Sequence, residues 1–188
     1  KKVLESTGTL QKALYDEIVG RIVKNDESVP YLRNGYYYYD RYAEGSEYPV
    51  YLRKKGSPDA KEEELLDVNK LAEGMDYCSV NGLNVSRDNK ILAYGTDFIS
   101  RRRYTLNFLD IETGSLLADK IESTTGQAVW AADNKTIFYV SKDMETLRSN
   151  RILRHKLGTT SDKDVVVFNE EDETFSVSLS ETKSRKYL

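Results

Sequence analysis

Serine and histidine are the side chains here that could take part in nucleophilic catalysis. Serine follows glycine at Ser46, Ser57 and Ser115, and His155 is the only imidazole. A serine nucleophile on a sharp strand-to-helix turn lies within the pattern G-x-S-x-G, and none of the three serines has these flanking glycines. We therefore expect no catalytic residue in these 188 residues. His155 is interpreted as a strand residue that points to the surface of a sheet.

Metal and cofactor ligands are equally few. Cys78 is the only cysteine and His155 the only histidine, so soft ligands cannot complete a zinc site. The turns DIETG and AADNK lack the alternating carboxylates and the closing glutamate of a calcium loop. A glycine-rich phosphate loop with its lysine is also missing. We therefore expect neither a metal ion nor a cofactor.

The composition is that of a globular protein, with 39% hydrophobic and 31% charged residues. The 28 basic and 31 acidic residues give a net charge of −3, which does not indicate nucleic-acid binding. The sequence has no run of about 18 apolar residues and no signal-peptide pattern. Since a lone cysteine suits a reducing compartment, we expect a cytoplasmic protein that does not contact a membrane.

Two clusters of charge remain. Arg101, Arg102 and Arg103 are consecutive, in a connection between two predicted strands. A solvated loop is one interpretation, and the alternative is an interdomain contact in which the guanidinium groups pair with carboxylates. The acidic run Glu170–Glu173 joins two predicted repeats. We interpret it as an exposed linker, with electrostatic attraction of basic peptides as the alternative.

The first element that the sequence predicts is a helix. Leucine and isoleucine recur in steps of four, at Leu10, Leu14, Ile18 and Ile22. This spacing predicts a helix from Leu10 to Val23 with one apolar stripe and with Thr9 as its N-cap. Pro30 ends the helical pattern. We assign residues 1–26 to an N-terminal helical extension.

Short strands and turns follow, and they repeat. The segments LNVSRDNKILAYGTD and AVWAADNKTIFYVSKD share an Asp-Asn-Lys turn before a hydrophobic strand, and the turns begin at Asp88 and Asp133, 45 residues apart. Each copy continues with a strand, a glycine-containing turn and a fourth strand. A third copy begins at Thr174, and a divergent copy lies between Val29 and Asn69.

A repeat of about 40 to 50 residues with four strands is typical of a β-propeller blade. The predicted fold is therefore all-β, a partial β-propeller over residues 27–188 preceded by an N-terminal α-helix. Its blades are expected at residues 29–69, 83–121 and 127–168, with the start of another at 174–188. Because the sequence begins with Lys1 and ends within a predicted strand at Ser184–Leu188, we expect a fragment of a longer polypeptide.

Four consecutive tyrosines, Tyr36 to Tyr39, lie in the first predicted blade. A middle strand of a blade packs on both faces, so an uninterrupted aromatic run suits it. We expect Tyr36 and Tyr38 to face one neighbouring blade, and Tyr37 and Tyr39 to face the other. The alternative is an aromatic platform for sugars or bases.

Further segments include NGYYYYDRYAEGSEYPVYLRKKGS, VSRDNKILAYGTD, RRRYTLNFLDIETG and LRSNRILRHKLGT. In order and spacing they resemble the N-terminal part of the prolyl oligopeptidase family of serine peptidases, in its oligopeptidase B (protease II) branch. The resemblance extends over essentially the whole chain. It implies a seven-bladed propeller that caps a catalytic α/β-hydrolase domain, which is absent from these residues and would be their partner. It also implies hydrolysis of short peptides after Lys or Arg.

In such an enzyme a narrow axial channel would admit only short, flexible peptides, and movement of the two domains would gate the active site. The alternative function is a non-catalytic propeller that serves as a binding or interaction module. An incomplete ring leaves two blade faces uncovered, which predicts self-association.

Overall fold

The computed structural model of the protein describes residues 2–188. Lys1, the first residue of the predicted extension, lies outside the described residues. The strands are β1 (Asp26–Glu27), β2 (Tyr31–Arg33), β3 (Tyr36–Tyr42), β4 (Val50–Lys55), β5 (Glu62–Asp67), β6 (Ser79–Val85), β7 (Ile91–Asp97), β8 (Tyr104–Asp110), β9 (Ser115–Trp130), β10 (Thr136–Lys142), β11 (Ser149–Lys156) and β12 (Val165–Asn169). The helices are α1 (Gly8–Gly20), α2 (Val68–Ala72) and two 3₁₀ helices, Lys2–Thr7 and Ser161–Lys163. The predicted fold class, mostly β with an N-terminal helix, is confirmed.

Helix α1 differs from its prediction at both ends. It begins at Gly8, directly after a 3₁₀ turn, so Thr9 is an interior residue and its prediction as the N-cap is wrong. The helix ends at Gly20 rather than at Val23, where glycine lowers helix propensity. None of the described side chains of α1 is buried, so the apolar stripe lies outside the core of this chain. Among residues 2–188, the structure contains no helix long and apolar enough to cross a membrane.

The first sheet contains five strands in the order β1-β3-β4-β5, with β2 also paired to β3. Strands β1 and β2 pair with opposite ends of β3, and Pro30 lies between them. Because proline has no N–H for a strand ladder, it interrupts the edge of the sheet at this point. We call these five strands the first unit.

The other seven strands form one sheet in sequence order, from β6 to β12. Strand β9 is 16 residues long; its first part pairs with β8 and its second part with β10. We call β6 to the first part of β9 the second unit, and the rest of the sheet the third unit. Residues 122–126, which lie between two predicted blades, are therefore inside a strand. The β8–β9 register shifts beside them, as a bulge that bends the strand from one unit into the next.

Two hydrophobic clusters lie between the units. The first contains Tyr38, Leu65, Leu66, Val68, Cys78, Val85, Leu92 and Tyr94. The second contains Ala93, Leu106, Phe108, Ile121, Ala128, Trp130, Ile137 and Tyr139. Strand β7 contributes Leu92 and Tyr94 to the first cluster and Ala93 to the second, because successive strand residues point to opposite faces. The core is thus formed by units that pack face to face.

The tyrosine run follows the predicted alternation on one face. Tyr36 and Tyr38 pack in the cluster between the first and second units, and the Tyr38 hydroxyl donates to Asn89 Oδ1 at 3.5 Å. Tyr39 points to the opposite face, where its hydroxyl donates to Glu62. The Lys54 ammonium lies 5.1 Å from the centre of the Tyr39 ring. Contact of this second face with another blade stays a prediction.

The segment after β12 is irregular. Residues 170–188 contain no strand, so the strand predicted from Thr174 onward, which included Ser184–Leu188, is wrong for the described chain. A strand requires a regular ladder of hydrogen bonds, whereas Val177 N–H makes a single bond to Ser149 O at 2.8 Å. A tight turn does form near the end, where Thr182 N–H donates to Tyr187 O at 3.0 Å.

Candidate functional site

The loop between β7 and β8 carries the three consecutive arginines and is organised by Asp97. Asp97 is 1% exposed. One carboxylate oxygen accepts the N–H of Ile99 at 2.9 Å, and the other accepts the N–H of Arg101 at 2.9 Å and of Arg102 at 2.6 Å. Three backbone donors compensate the burial of this charge. The loop therefore has a fixed backbone.

The arginine loop is also attached to the third unit. The Lys142 ammonium, at the end of β10, donates to Arg102 O at 2.7 Å. Burial, together with the nearby Arg102 charge, lowers the pKa of Lys142. The side chains of Arg101 and Arg102 are exposed, whereas Arg103 is half-buried and its Nε has no hydrogen-bond partner. The structure thus presents two of the three predicted guanidinium groups to solvent from a rigid loop.

His155 lies in a strand, β11, as expected, but the expectation that it points to a surface is wrong. Its side chain is 1% exposed, with Nδ1 at 2.6 Å from Asp164 Oδ1 and Nε2 at 3.0 Å from Asp119 Oδ1. The imidazole is stacked on Phe108, with ring centres 6.2 Å apart. Strand β11 directs this side chain into the contact between the second and third units rather than to a surface. Two carboxylates make the burial of a polar ring possible there.

Further hydrogen bonds extend the His155 cluster. The Tyr139 hydroxyl donates to Asp164 Oδ2 at 2.8 Å, and Gly158 N–H donates to Asp119 Oδ1 at 2.6 Å. Burial and the Asp164 carboxylate raise the pKa of Tyr139. Both ring nitrogens of His155 face carboxylates, so the cluster is a polar contact that connects the second and third units. Sequence reasoning missed it because Asp119 and Asp164 are brought to His155 by the sheet, not by a local motif.

The acidic turns bind their own backbones. Asp110 Oδ1 accepts the Thr113 N–H at 2.8 Å and the Thr113 hydroxyl at 3.0 Å. Asp133 Oδ1 accepts the N–H of Lys135 at 3.0 Å and of Thr136 at 2.8 Å. These hydrogen bonds hold the pKa of both aspartates below the usual range. Within the described part of the chain, no group of three or more His, Cys, Asp or Glu side chains is placed to hold a metal ion.

The acidic run after β12 is held by a single arginine. Arg148 Nη1 donates to the carbonyls of Asp172 at 2.8 Å and Phe175 at 2.9 Å, and Nη2 donates to Glu170 O at 3.2 Å. Glu171, Asp172 and Glu173 are exposed, as expected for a linker. Its backbone path, however, is fixed by Arg148, which sequence reasoning did not identify.

Antiparallel sheets of about four strands that pack face to face in chain order define the class of β-propeller proteins, and in the first unit β1 and β2 share one edge position beside β3. A family model described as the prolyl oligopeptidase N-terminal β-propeller domain matches residues 1–188. The chain belongs to the prolyl oligopeptidase family, in its N-terminal propeller region.

Relatives and solved structures agree with this assignment. The chain is 41% identical to dipeptidyl aminopeptidase BI of Pseudoxanthomonas mexicana and 34% identical to Protease 2 of Moraxella lacunata, over 95% and 93% of its length. Oligopeptidase B from Leishmania major is 32% identical, with a TM-score of 0.88 over 96% of the chain. The chain spans only about a quarter of these proteins, 27%, 26% and 26% respectively.

Proposed function

We propose that the chain is the N-terminal propeller portion of a serine-type oligopeptidase that hydrolyses short peptides after Lys or Arg. The family match over residues 1–188 carries the proposal. The preference for basic residues rests on the similarity to proteins named oligopeptidase B and Protease 2. Another relative is named dipeptidyl aminopeptidase BI.

In this proposal the propeller acts as a size filter and a gate, in the cytoplasm. A catalytic α/β-hydrolase domain, outside these residues, supplies the serine, histidine and aspartate. The propeller excludes folded proteins and admits short basic peptides. Because separation of the two domains would expose the active site, the strength of their contact would control access.

The arginine loop is our candidate for part of that contact. Arg101 and Arg102 are exposed on a backbone that Asp97 and Lys142 hold in place. A rigid loop loses little conformational entropy when its guanidinium groups pair with carboxylates of another domain. We propose no role in this contact for Arg103, which is half-buried.

Hydrolysis by the natural polypeptide that carries residues 1–188 tests the proposal. The substrates are a short peptide with one Arg, the same peptide with Ala in its place, and a folded protein that contains exposed Arg. We expect cleavage of the first alone, abolished by a serine-reactive inhibitor. Lack of hydrolysis, with a natural polypeptide of about 21.6 kDa, would instead favour a non-catalytic interaction module.

Charge reversal tests the interdomain contact. The double variant Arg101→Glu/Arg102→Glu should weaken the contact and increase cleavage of long peptides relative to short ones. Lys163→Glu is the matched control, because Lys163 is an exposed residue of the 3₁₀ helix between β11 and β12, outside the loop. Equal length selectivity in the two variants would contradict a role for the loop.

A further inference from the structure

Three arginines converge on one carboxylate at the end of the units opposite the arginine loop. Arg87 Nη2 donates to Glu181 Oε1 at 2.6 Å and to Arg185 O at 2.9 Å. Arg33 Nη2 and Arg185 Nε lie 3.7 and 3.8 Å from Glu181 Oε2. Arg33 ends β2, Arg87 lies between β6 and β7, and Arg185 lies in the final turn. The cluster therefore joins the first unit, the second unit and the segment after the third.

Arg185 occupies an unusual backbone position. Its φ is +57°, close to the values of +65° for Asn89 and +57° for Asn134 in the two Asp-Asn-Lys turns. Asparagine is among the residues that adopt this region most readily, and arginine is not. The final turn thus has an arginine where the earlier turns have asparagine. That arginine donates from Nη1 to Asn34 Oδ1, in the turn between β2 and β3.

The cluster borders a cavity of about 330 Å³. Its lining residues are Arg33, Asn84, Val129, Glu181, Thr182, Lys183 and Arg185. Together with Arg87 from the adjoining cluster, four cationic side chains and a single carboxylate thus lie at this cavity. Arg87 Nε and Asn84 Oδ1 are buried without a hydrogen-bond partner. The distances from Arg33 and Arg185 to Glu181 exceed those of hydrogen bonds, so their donors are not used up by this carboxylate.

We propose that this cavity binds a carboxylate of a short peptide. Guanidinium groups bind carboxylates in a bidentate manner, and an excess of three positive charges attracts an anion. Glu181 already demonstrates that the arginines can accommodate a carboxylate. The source would be the free C-terminus of a peptide or an acidic side chain. The choice of a peptide ligand rests on the proposed function, but the site requires no hydrolysis.

Calorimetric titration of the natural polypeptide with three probes tests the site. The probes are N-acetyl-trialanine with a free C-terminus, its C-terminal amide, and N-acetyl-Ala-Asp-Ala amide. They contain no Lys or Arg, so binding is measured separately from the proposed cleavage. We expect at least one carboxylate peptide to bind about tenfold or more tightly than the uncharged amide. The tighter of the two identifies the source of the carboxylate.

Variants localise the binding. Arg87→Gln should weaken it about tenfold, and Lys163→Gln, at an exposed position outside the cavity, should leave it within about twofold of wild type. Glu181→Gln should tighten binding, because it removes the internal competitor and frees donors of Arg87. Circular dichroism checks that each variant folds. If Arg87→Gln does not fold, Arg33→Gln replaces it, because Arg33 makes only a 3.7 Å ion pair with Glu181.

Two results would overturn the proposal. The first is equal binding of the acid and amide probes to the wild type. The second is binding of the acid that neither arginine variant weakens and that Glu181→Gln does not tighten. In the second case Glu181 would serve only as an internal ion-pair partner. A wild-type polypeptide that binds the acid probes but hydrolyses no peptide would count against the proposed function and would leave the carboxylate site supported.

Discussion

Replacement of His155 by leucine should destabilise the protein by about 3 to 5 kcal/mol, the cost of removing one partner from a buried carboxylate pair. The side chains of Asp119 and Asp164 are only 7% and 1% exposed. Without the imidazole, both carboxylates lose a close polar partner, and a hydrogen bond to a charged group is worth about 1.5 to 3 kcal/mol. Leucine keeps an apolar contact with Phe108, so the loss reflects the polar partners rather than a cavity.

Urea unfolding of the 188-residue chain at low micromolar concentration measures the effect. Trp130 is the only tryptophan, and its ring lies 6.3 Å from that of Phe108 in the cluster that His155 borders, so its fluorescence reports on this region. Arg154→Leu, at the preceding exposed position, is the control and should change the free energy of unfolding by less than about 0.5 kcal/mol. Adding Asp164→Asn to His155→Leu should cost less than the sum of the single changes. A loss below about 1 kcal/mol for His155→Leu would refute the assigned role of the cluster.

Three further perturbations probe packing, titration and the open edge. Gly95→Ala should lower the free energy of unfolding in urea by about 1 to 3 kcal/mol, because the new Cβ would lie 2.4 Å from Gly126 Cα. Gly20→Ala is the control: no atom lies within 4 Å of its new Cβ, so the change should be neutral or stabilising. Hydrogen bonds from Arg41 and Tyr39 lower the pKa of Glu62, so the free energy of unfolding should fall as the pH drops below about 4.3. In Glu62→Gln the free energy of unfolding should depend less on pH over this range. The isolated chain should self-associate through edge strand β12, as measured by sedimentation velocity. Val167→Lys, which adds a charge at an exposed position of that strand, should reduce the association. A monomeric wild type at high concentration would contradict this expectation.

The repeat was predictable from the sequence because its signals are local. Asp-Asn-Lys turns precede strands at both copies, and Asn89 and Asn134 adopt the positive φ that such turns require. The alternation of Tyr36 and Tyr38 toward one face follows from strand geometry alone. The exposure of Arg101 and Arg102 is likewise a property of a short loop between two strands.

The polar contacts between units were not predictable because they depend on long-range pairing. Asp119 is 36 residues from His155 along the chain, and nothing in the sequence around either residue indicates the contact. The continuity of β9 was hidden for a related reason. Residues 122–126 contain Ser123, Thr124 and Gly126, which are typical of a turn, whereas pairing with β8 and β10 keeps the strand extended.

The two cationic sites lie at opposite ends of the same strand and are therefore physically independent. Arg87 precedes β7 and the loop of Arg101 and Arg102 follows it, so about 20 Å of extended chain separates them. This exceeds the Debye length of about 8 Å at physiological ionic strength, so exposed charges at one site are screened from the other. Sites this far apart without shared partners contribute additively. The proposed domain contact at the loop and the proposed carboxylate site in the cavity are therefore compatible, and each proposal can fail without affecting the other.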